Sequence, residues 1–157
     1  MKPALKLIGW IVALIAAGGV ILVVGMRAQA PPVVNGVRRM NRLSKPIVLR
    51  RAGTSGSPTA VVRHVGRVTG RQHQTPVVAA TVNDGFVVAL PYGAGTDWLK
   101  NVRAAGKATI LVDGQAHRVD NPEVISIEEA TRHFRPTEQR LHRQFGVRQA
   151  VRLRSRS

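Results

Sequence analysis

The stretch that decides the fold spans residues 60–82 and reads AVVRHVGRVTGRQHQTPVVAATV. Its two ends, residues 60–65 and 77–82, are rich in valine and alanine, and short runs of this kind indicate β-strands. The polar segment between them carries the turn residues. The stretch therefore predicts two adjacent strands joined by a loop.

This loop combines two glycines with two arginines. Gly66 and Gly70 permit backbone shapes and close approaches that a side chain would block. Arg67 and Arg71 offer forked donors suited to phosphate or carboxylate. The pattern predicts an anion-binding loop, and the alternative is an ordinary basic hairpin loop.

Tight turns continue along the chain. Asn83-Asp84-Gly85 and Asp113-Gly114 are strong hairpin signals. Together with the first strand, the predicted strands cover residues 77–82, 86–90, 107–112, 115–120 and 123–125. About six strands with such turns predict a small antiparallel barrel with helices at its edge. The expected class is mainly β with flanking helices (α+β).

Three helices are predicted beside these strands. They cover residues 97–105, 126–134 and 137–153. Thr96 caps the first, the capping box that begins at Ser126 opens the second, and Gly106 ends the first. In the last helix, Leu141, Phe145 and Val151 would lie on one side.

Composition limits the possible partners. The 157 residues include 24 Lys and Arg against 8 Asp and Glu, a formal net charge of +16, so the partners should be anionic. A nucleic acid, an anionic membrane surface and a polyanionic cofactor all qualify. Six aromatic residues give few stacking platforms, which ranks nucleic acid below membrane. There is no cysteine, and the five histidines lack metal-binding spacing, so we predict no metal site.

The N-terminal segment Leu7 to Met26 has no charged residue. A helix of this length spans roughly the 30 Å hydrocarbon core of a bilayer. The alternative is a secretory signal peptide cleaved after Ala28-Gln29-Ala30, but the apolar run exceeds the usual range of about 7 to 15 residues. We therefore expect a membrane anchor with its connector over residues 1–30 and a barrel domain over residues 31–157.

The charges that flank this segment predict its orientation. Two basic residues precede it, whereas five follow within about 20 residues; these are Lys2 and Lys6, then Arg27, Arg38, Arg39, Arg42 and Lys45. The barrel should therefore face the cytoplasm. Residues 37–49 show helical spacing of apolar side chains, and their arginines could contact anionic lipid headgroups.

Two blocks of sequence carry a family resemblance. AVVRHVGRVTGRQHQTPV (residues 60–77) is close to a strand-GR-x-[ST]-G-loop-[TN]-P pattern, and VVALPYGAGTDWLKNVRAAG (residues 87–106) to a strand, a loop and a W-x-x-N helix. Both resemble the deazaflavin (coenzyme F420)-dependent nitroreductase and quinone reductase family, which has an FMN-binding-like split β-barrel. The tail FGVRQAVRLR (residues 145–154) looks like the closing helix of short members. The resemblance covers roughly residues 37–153.

The resemblance implies a set of cofactor-binding residues. They are Arg67, Val68, Thr69, Gly70, Arg71, Gln72, Pro91, Tyr92, Gly93, Trp98 and Asn101. The two arginines would meet the phosphate and the polyglutamate tail of coenzyme F420. Val68 stands where the family usually has Lys or Arg, and Gln72 stands where Pro is common. These departures leave FMN as an alternative cofactor.

The resemblance also implies the reaction. The chain would transfer hydride from reduced coenzyme F420 to a quinone or a nitro compound, and it needs no acid–base dyad because the cofactor carries the hydride. Tyr92 is a candidate proton donor, and a half-buried tyrosine at the barrel rim is the alternative. A quinone would suit an enzyme held at a membrane. The alternatives to a reductase are an FMN-binding split-barrel protein and a non-enzymatic, membrane-tethered binder of anionic lipid or nucleic acid. Whether the chain forms a homodimer is left open.

Overall fold

A computed structural model describes residues 2–156 of the chain, with side chains described from residue 13 onward. Within this range the helices are α1 (Lys2–Arg27), α2 (Pro31–Leu49), α3 (Asp97–Ala105), α4 (Ile127–Thr131) and α5 (Pro136–Gln144). The strands are β1 (Ala60–Val65), β2 (Gln72–Val77), β3 (Ala79–Val82), β4 (Gly85–Ala89), β5 (Lys107–Val112), β6 (Gln115–Ser126) and β7 (Gln149–Ser155).

All seven strands belong to one antiparallel sheet in the order β2-β1-β5-β6-β7-β4-β3. The two outermost strands, β2 and β3, are consecutive in the chain and are separated only by Val78. A sheet whose opposite edges are joined by one residue must curl until those edges approach each other at that residue. The predicted class, mainly antiparallel β with flanking helices, is confirmed.

Side chains from the two faces of the curled sheet form two apolar clusters. On β4, Phe86 and Val88 point into the cluster that also receives α3, whereas Val87 and Ala89 point into the cluster beneath α4. All five residues of β4 are buried, because helices or strands cover both of its faces. Such a strand reads as a continuous apolar run rather than an alternating one.

Helix α3 occupies the predicted residues and packs on the barrel through Trp98, Leu99 and Val102. Gly106 ends it in the left-handed conformation with φ of 67°, as the sequence indicates. Thr96 is the N-cap residue, but its hydroxyl makes no capping hydrogen bond. The helix is therefore held mainly by its apolar face.

The predicted final helix over residues 137–153 is wrong beyond Gln144. The chain turns at Gly146, which has φ of 64°, and then forms strand β7 between β6 and β4. Most of residues 145–154, the segment predicted to be a closing helix, thus belongs to a central strand. Val151 and Leu153 lie in the apolar cluster that receives α3, whereas Ala150 lies in the cluster beneath α4, an alternation of faces with the period of a strand.

Several strand and helix boundaries also differ from those predicted. The strand after the loop begins at Gln72, and Val78 separates it from β3. The two short strands predicted over residues 115–125 form one strand with a bulge between Asp120 and Glu123. Helix α4 ends at Thr131, although Ser126 caps it as expected by accepting from the Glu129 N–H at 3.2 Å.

The predicted membrane anchor corresponds to most of α1. Over the residues with described side chains, no single helix has the length and apolar composition to cross a membrane. Residues 13–27 and 31–49 meet those criteria only as a pair, and the two helices are bent by 105°. The side chains of residues 7–12, the first part of the predicted span, lie outside the described residues.

The position of β7 predicts unequal effects of two leucine substitutions within residues 137–153. Leu153 is fully buried, so Leu153→Ala should cost about 2–5 kcal/mol in the free energy of unfolding. Leu141 is 50% exposed on α5, and Leu141→Ala should cost about 1 kcal/mol or less. Urea unfolding of both variants measures the difference. Equal losses would contradict the strand and favour a continuous helix.

Candidate functional site

The loop of residues 66–71, here called the anion loop, joins β1 to β2 and closes on itself. The Gly66 N–H donates to the Arg71 carbonyl at 2.8 Å, and the Gly70 N–H donates to the Gly66 carbonyl at 2.8 Å. The Arg71 N–H lies 3.4 Å from the Thr69 hydroxyl oxygen. The predicted loop between adjacent strands is thus present, with its turn fixed by its own backbone.

Glycine is favoured at both positions of the anion loop, at Gly66 by close contacts and at Gly70 by its backbone conformation. A Cβ at Gly66 would lie 2.8 Å from the Thr69 hydroxyl and 2.9 Å from Nε2 of His73, closer than real Cβ contacts. Gly70 has φ of 65°, a conformation that residues with a Cβ seldom adopt. A side chain at position 70 would therefore strain the loop backbone, whereas one at position 66 would require the Thr69 and His73 side chains to move.

Arg67 connects the anion loop to α3. Its backbone N–H and its Nη1 both donate to Oδ1 of Asn101, at 3.2 and 2.8 Å. Its Nη2 lies 3.1 Å from the Asp97 carboxylate, whose side chain is 83% exposed. One side chain of α3 therefore fixes both the backbone and the side chain of Arg67.

Asn101 is itself buried and contacts a buried histidine. Its Nδ2 lies 3.2 Å from Nδ1 of His64, and Nε2 of His64 lies 3.1 Å from the Thr75 hydroxyl. Asn101 and His64 are each 6% exposed. A polar chain thus runs from the loop through Asn101 and His64 to β2, beneath the anion loop.

His64 is neutral at physiological pH. Burial lowers its pKa from 6.5 to about 4, and the neighbouring His73 and Lys45 add to the effect. Because the amide of Asn101 donates to Nδ1, that nitrogen is unprotonated, and the ring proton lies on Nε2 facing Thr75. The rings of His64 and His73 are stacked with centroids 5.6 Å apart.

The remaining loop side chains face outward. Val68 is 87% exposed, and Thr69, Arg71 and Gln72 are also exposed. Gln72 opens β2 opposite Val65. Arg71 is the loop arginine that projects from the surface, while Arg67 is turned toward α3.

The second predicted block, Pro91 to Gly93, lies against the N-terminal helices. Asn41 of α2 donates through Nδ2 to the Tyr92 hydroxyl at 2.5 Å, and the Arg38 guanidinium lies 5.6 Å from the centroid of the Tyr92 ring. Burial raises the pKa of the Tyr92 phenol above its usual value near 10. The structure places Tyr92 under α2.

Trp98 lies on the inner face of α3 in the barrel core, where it is 9% exposed. Thr96, just before this helix, has a buried hydroxyl oxygen without a hydrogen-bond partner in the described structure. Asn101 and Asp97 of α3 meet Arg67, so the helix connects the segment that carries Tyr92 with the anion loop.

A cleft of about 640 Å³ lies beside the base of the anion loop. It is lined by Arg63, His64, Val65, Gln72, Ala105, Lys107, Ala108, Thr109, Arg118, Val119 and Arg156. Four of these residues are cations, and Arg156 lies 3.7 Å from the carboxylate of Asp120. The cleft extends the positive surface of the loop along β1, β5 and β6.

The sequence alone does not reveal the roles of three polar residues. His64 and Thr75 lie on neighbouring strands, and Asp97 begins α3, so their contacts depend on pairing across the fold. A histidine within an apolar strand was the available signal for His64, because such a residue needs a buried partner. Within the described residues, no cluster of His, Asp or Glu could hold a metal ion.

Comparison with protein families gives a match that covers most of the chain. The model of the F420H(2)-dependent quinone reductase family matches residues 37–154. This range contains the anion loop, α3 and every strand except the last residue of β7. No protein of curated function matches the chain.

Solved structures show a more distant likeness. An F420 reductase is 9% identical over 63% of this chain and 86% of its own, with a TM-score of 0.46. An F420-H2 dependent reductase is 11% identical over 61% and 93%, with a TM-score of 0.43. A conserved hypothetical protein of Mycobacterium tuberculosis is 16% identical over 65% and 75%, with a TM-score of 0.45.

The lowered pKa of His64 predicts how stability changes with pH. Between pH 6.5 and about 4, His64 is protonated in the unfolded chain but stays neutral in the folded chain. Stability from this group is therefore complete above pH 6.5 and is lost as the pH falls toward 4, by about 1–3 kcal/mol.

Urea unfolding at pH 7 and pH 4.5 measures this loss. In His64→Gln the decrease between the two pH values should be smaller than in the wild type. His142, whose pKa is also lowered by burial, is present in both proteins and cancels in the comparison. The same decrease in both proteins would show that His64 is not buried in its neutral form.

Proposed function

We propose that this chain, which belongs to the F420H(2)-dependent quinone reductase family, binds coenzyme F420 at the anion loop and α3 and reduces a lipid-soluble quinone. Membership makes the chain an F420-dependent oxidoreductase. The location of the cofactor, the acceptor and the placement at a membrane are the proposal. The main support for the proposal is that Asn101 of α3 accepts hydrogen bonds from both the backbone and the guanidinium of Arg67.

The donors at the anion loop fit a cofactor with a phosphate and an acidic tail. A closed loop with an exposed arginine, a compact backbone and a second arginine held at its base offers charge-assisted donors to such groups. When bound, reduced coenzyme F420 supplies the hydride. The protein residues bind and orient this group and keep water from it.

Arg67 has donors left for a ligand. A guanidinium carries five N–H groups, and two contacts, to Asn101 and Asp97, engage only part of them. The ion pair with Asp97 is exposed and contributes about 0–1 kcal/mol. An incoming phosphate can therefore displace Asp97, while Asn101 keeps the arginine in place.

The cationic cleft offers space for the acidic tail. Arg63, Lys107 and Arg118 line it from three neighbouring strands. Carboxylates of a polyglutamate chain that leaves the anion loop would meet these side chains. The net charge of +16 would also steer such a ligand toward the protein, more strongly at low salt.

Tyr92 is suited to donate a hydrogen bond to the acceptor. Its oxygen already accepts from Asn41, so its own O–H can point to another group. The raised pKa keeps the phenol protonated. Arg38 and Asn41 hold the half-buried ring under α2.

The arrangement of α1 and α2 supports the proposal of a lipid-soluble acceptor. Residues 7–26 carry no charge, and the axis of α2 is turned by 105° from that of α1. Were α1 to cross a bilayer, α2 would lie along its surface with Met40, Leu43 and Ile47, all more than 60% exposed, beside its arginines. The barrel would then stand on the cytoplasmic side, within reach of a quinone.

The first test compares cofactors and loop variants by fluorescence titration of the full-length protein. Oxidised coenzyme F420 should bind more tightly than FMN. Arg71→Ala should weaken this binding about tenfold or more, because a charge-assisted contact contributes about 1.5–3 kcal/mol. Asp97→Asn should tighten it, because the variant frees a donor of Arg67 and removes a carboxylate.

Arg140→Ala on α5 is the matched control, since it removes an exposed arginine distant in sequence from the anion loop. It should leave the dissociation constant within about twofold at 0.15 M salt. Equal affinity for F420 and FMN would favour an FMN-binding protein. A lack of affinity for either would favour a non-enzymatic binder of anionic lipid, and equal losses in both arginine variants would favour a general charge effect.

The second test concerns the membrane. Protease treatment of intact cells should leave the barrel protected, while N-terminal sequencing should find an uncleaved start. Opening the cells should expose the barrel to the protease. A mature chain that begins near Pro31 would identify a secreted protein and contradict this part of the proposal.

A further inference from the structure

The side-chain amide of Asn101 has a single orientation that satisfies its neighbours. Its Oδ1 accepts two N–H groups of Arg67, and its Nδ2 donates to Nδ1 of His64. If the amide were turned over, its NH₂ would face the N–H donors of Arg67. Its oxygen would face the lone pair of the His64 Nδ1, so all three hydrogen bonds would be lost.

We infer that His64 is a positioning residue for the anion loop: its unprotonated Nδ1 holds the Asn101 amide with Oδ1 toward Arg67, and so fixes Arg67 for an anionic ligand. The inference rests on the proposed function only where it names that ligand, the phosphate-bearing cofactor. The orientation of the amide stands on the geometry alone.

The surroundings of His64 keep Nδ1 free to accept. Thr75 on β2 lies 3.1 Å from Nε2 and accepts the ring proton there. The charged or titratable groups that face the ring are His73 from β2, Lys45 from α2 and, through Asn101, Arg67 from the loop. Asp97 is the carboxylate nearest to this chain of contacts, and it lies beyond Arg67.

Protonation of His64 would reverse the orientation. With a proton on Nδ1, the ring becomes a donor there and requires Oδ1 of Asn101, so the amide must turn away from Arg67. Arg67 would then lose the acceptor for its backbone N–H and for Nη1. Because the pKa of His64 is lowered to about 4, the arrangement that holds Arg67 persists at neutral pH.

The first experiment requires no cofactor. NMR of the full-length protein with ¹⁵N-labelled histidine reports the tautomer and the pKa of His64. We expect the Nε2–H tautomer in the wild type. In Asn101→Asp, a carboxylate replaces the amide donor beside Nδ1, so the pKa should rise by one unit or more.

Asn83→Asp is the matched control, because it adds the same charge in an exposed turn and should leave this pKa unchanged. An Nδ1–H tautomer in the wild type, or an unchanged pKa of His64 in Asn101→Asp, would overturn the inference.

The second experiment measures the affinity for oxidised coenzyme F420 at pH 7 by fluorescence. His64→Phe keeps an aromatic ring but removes Nδ1, and should weaken binding about fivefold to tenfold. His117→Phe, a half-buried histidine on β6 packed against Phe86, is the control and should bind like the wild type.

The outcomes of the second experiment separate the two ideas. If the wild type binds and His64→Phe binds equally well, the positioning role is wrong and the proposed function stands. If the wild type does not bind coenzyme F420, the proposed function fails, and the tautomer and pKa measurements still decide the orientation of Asn101. Should His64→Phe fail to fold, those measurements decide it as well.

Discussion

The hydrogen bonds between the Asn101 amide and Arg67 are the interaction on which the candidate site depends. Asn101 is placed by α3, and α3 is placed by Trp98, Leu99 and Val102 in the barrel core. The position of Arg67 in an exposed loop is therefore fixed by a helix that packs in the core. Leaving this buried amide without hydrogen-bond partners would lower the stability of the fold by about 1–3 kcal/mol. This cost favours keeping its three hydrogen bonds.

The closure of the sheet brings these parts together. Strands β2 and β3 are its two edges and follow each other in the chain, so the sheet curls. Helix α3, which follows β4, thereby packs against β1, the strand that leads into the anion loop. Strand β7 completes this path by pairing with both β6 and β4. The last residues of the family match therefore belong to the core, and a change in β7 would reach the site through the barrel.

Local signals in the sequence predict much of this arrangement. The boundaries of α3 follow from Asp97 in its first turn and Gly106 at its end, and the anion loop follows from its glycines and arginines. The sequence favours a helix where β7 forms because its apolar residues also fit a helical spacing, and pairing with distant strands decides between the two. His64 could not be assigned because Asn101 and Thr75 reach it only in the folded chain.

The most direct test of the central claim is a crystal structure of the full-length protein with oxidised coenzyme F420. The account predicts the phosphate at the anion loop in contact with Arg71 and Arg67, with Asn101 still bonded to Arg67 and the deazaflavin ring toward Tyr92. A cofactor bound elsewhere on the barrel, with the loop arginines unengaged, would contradict it.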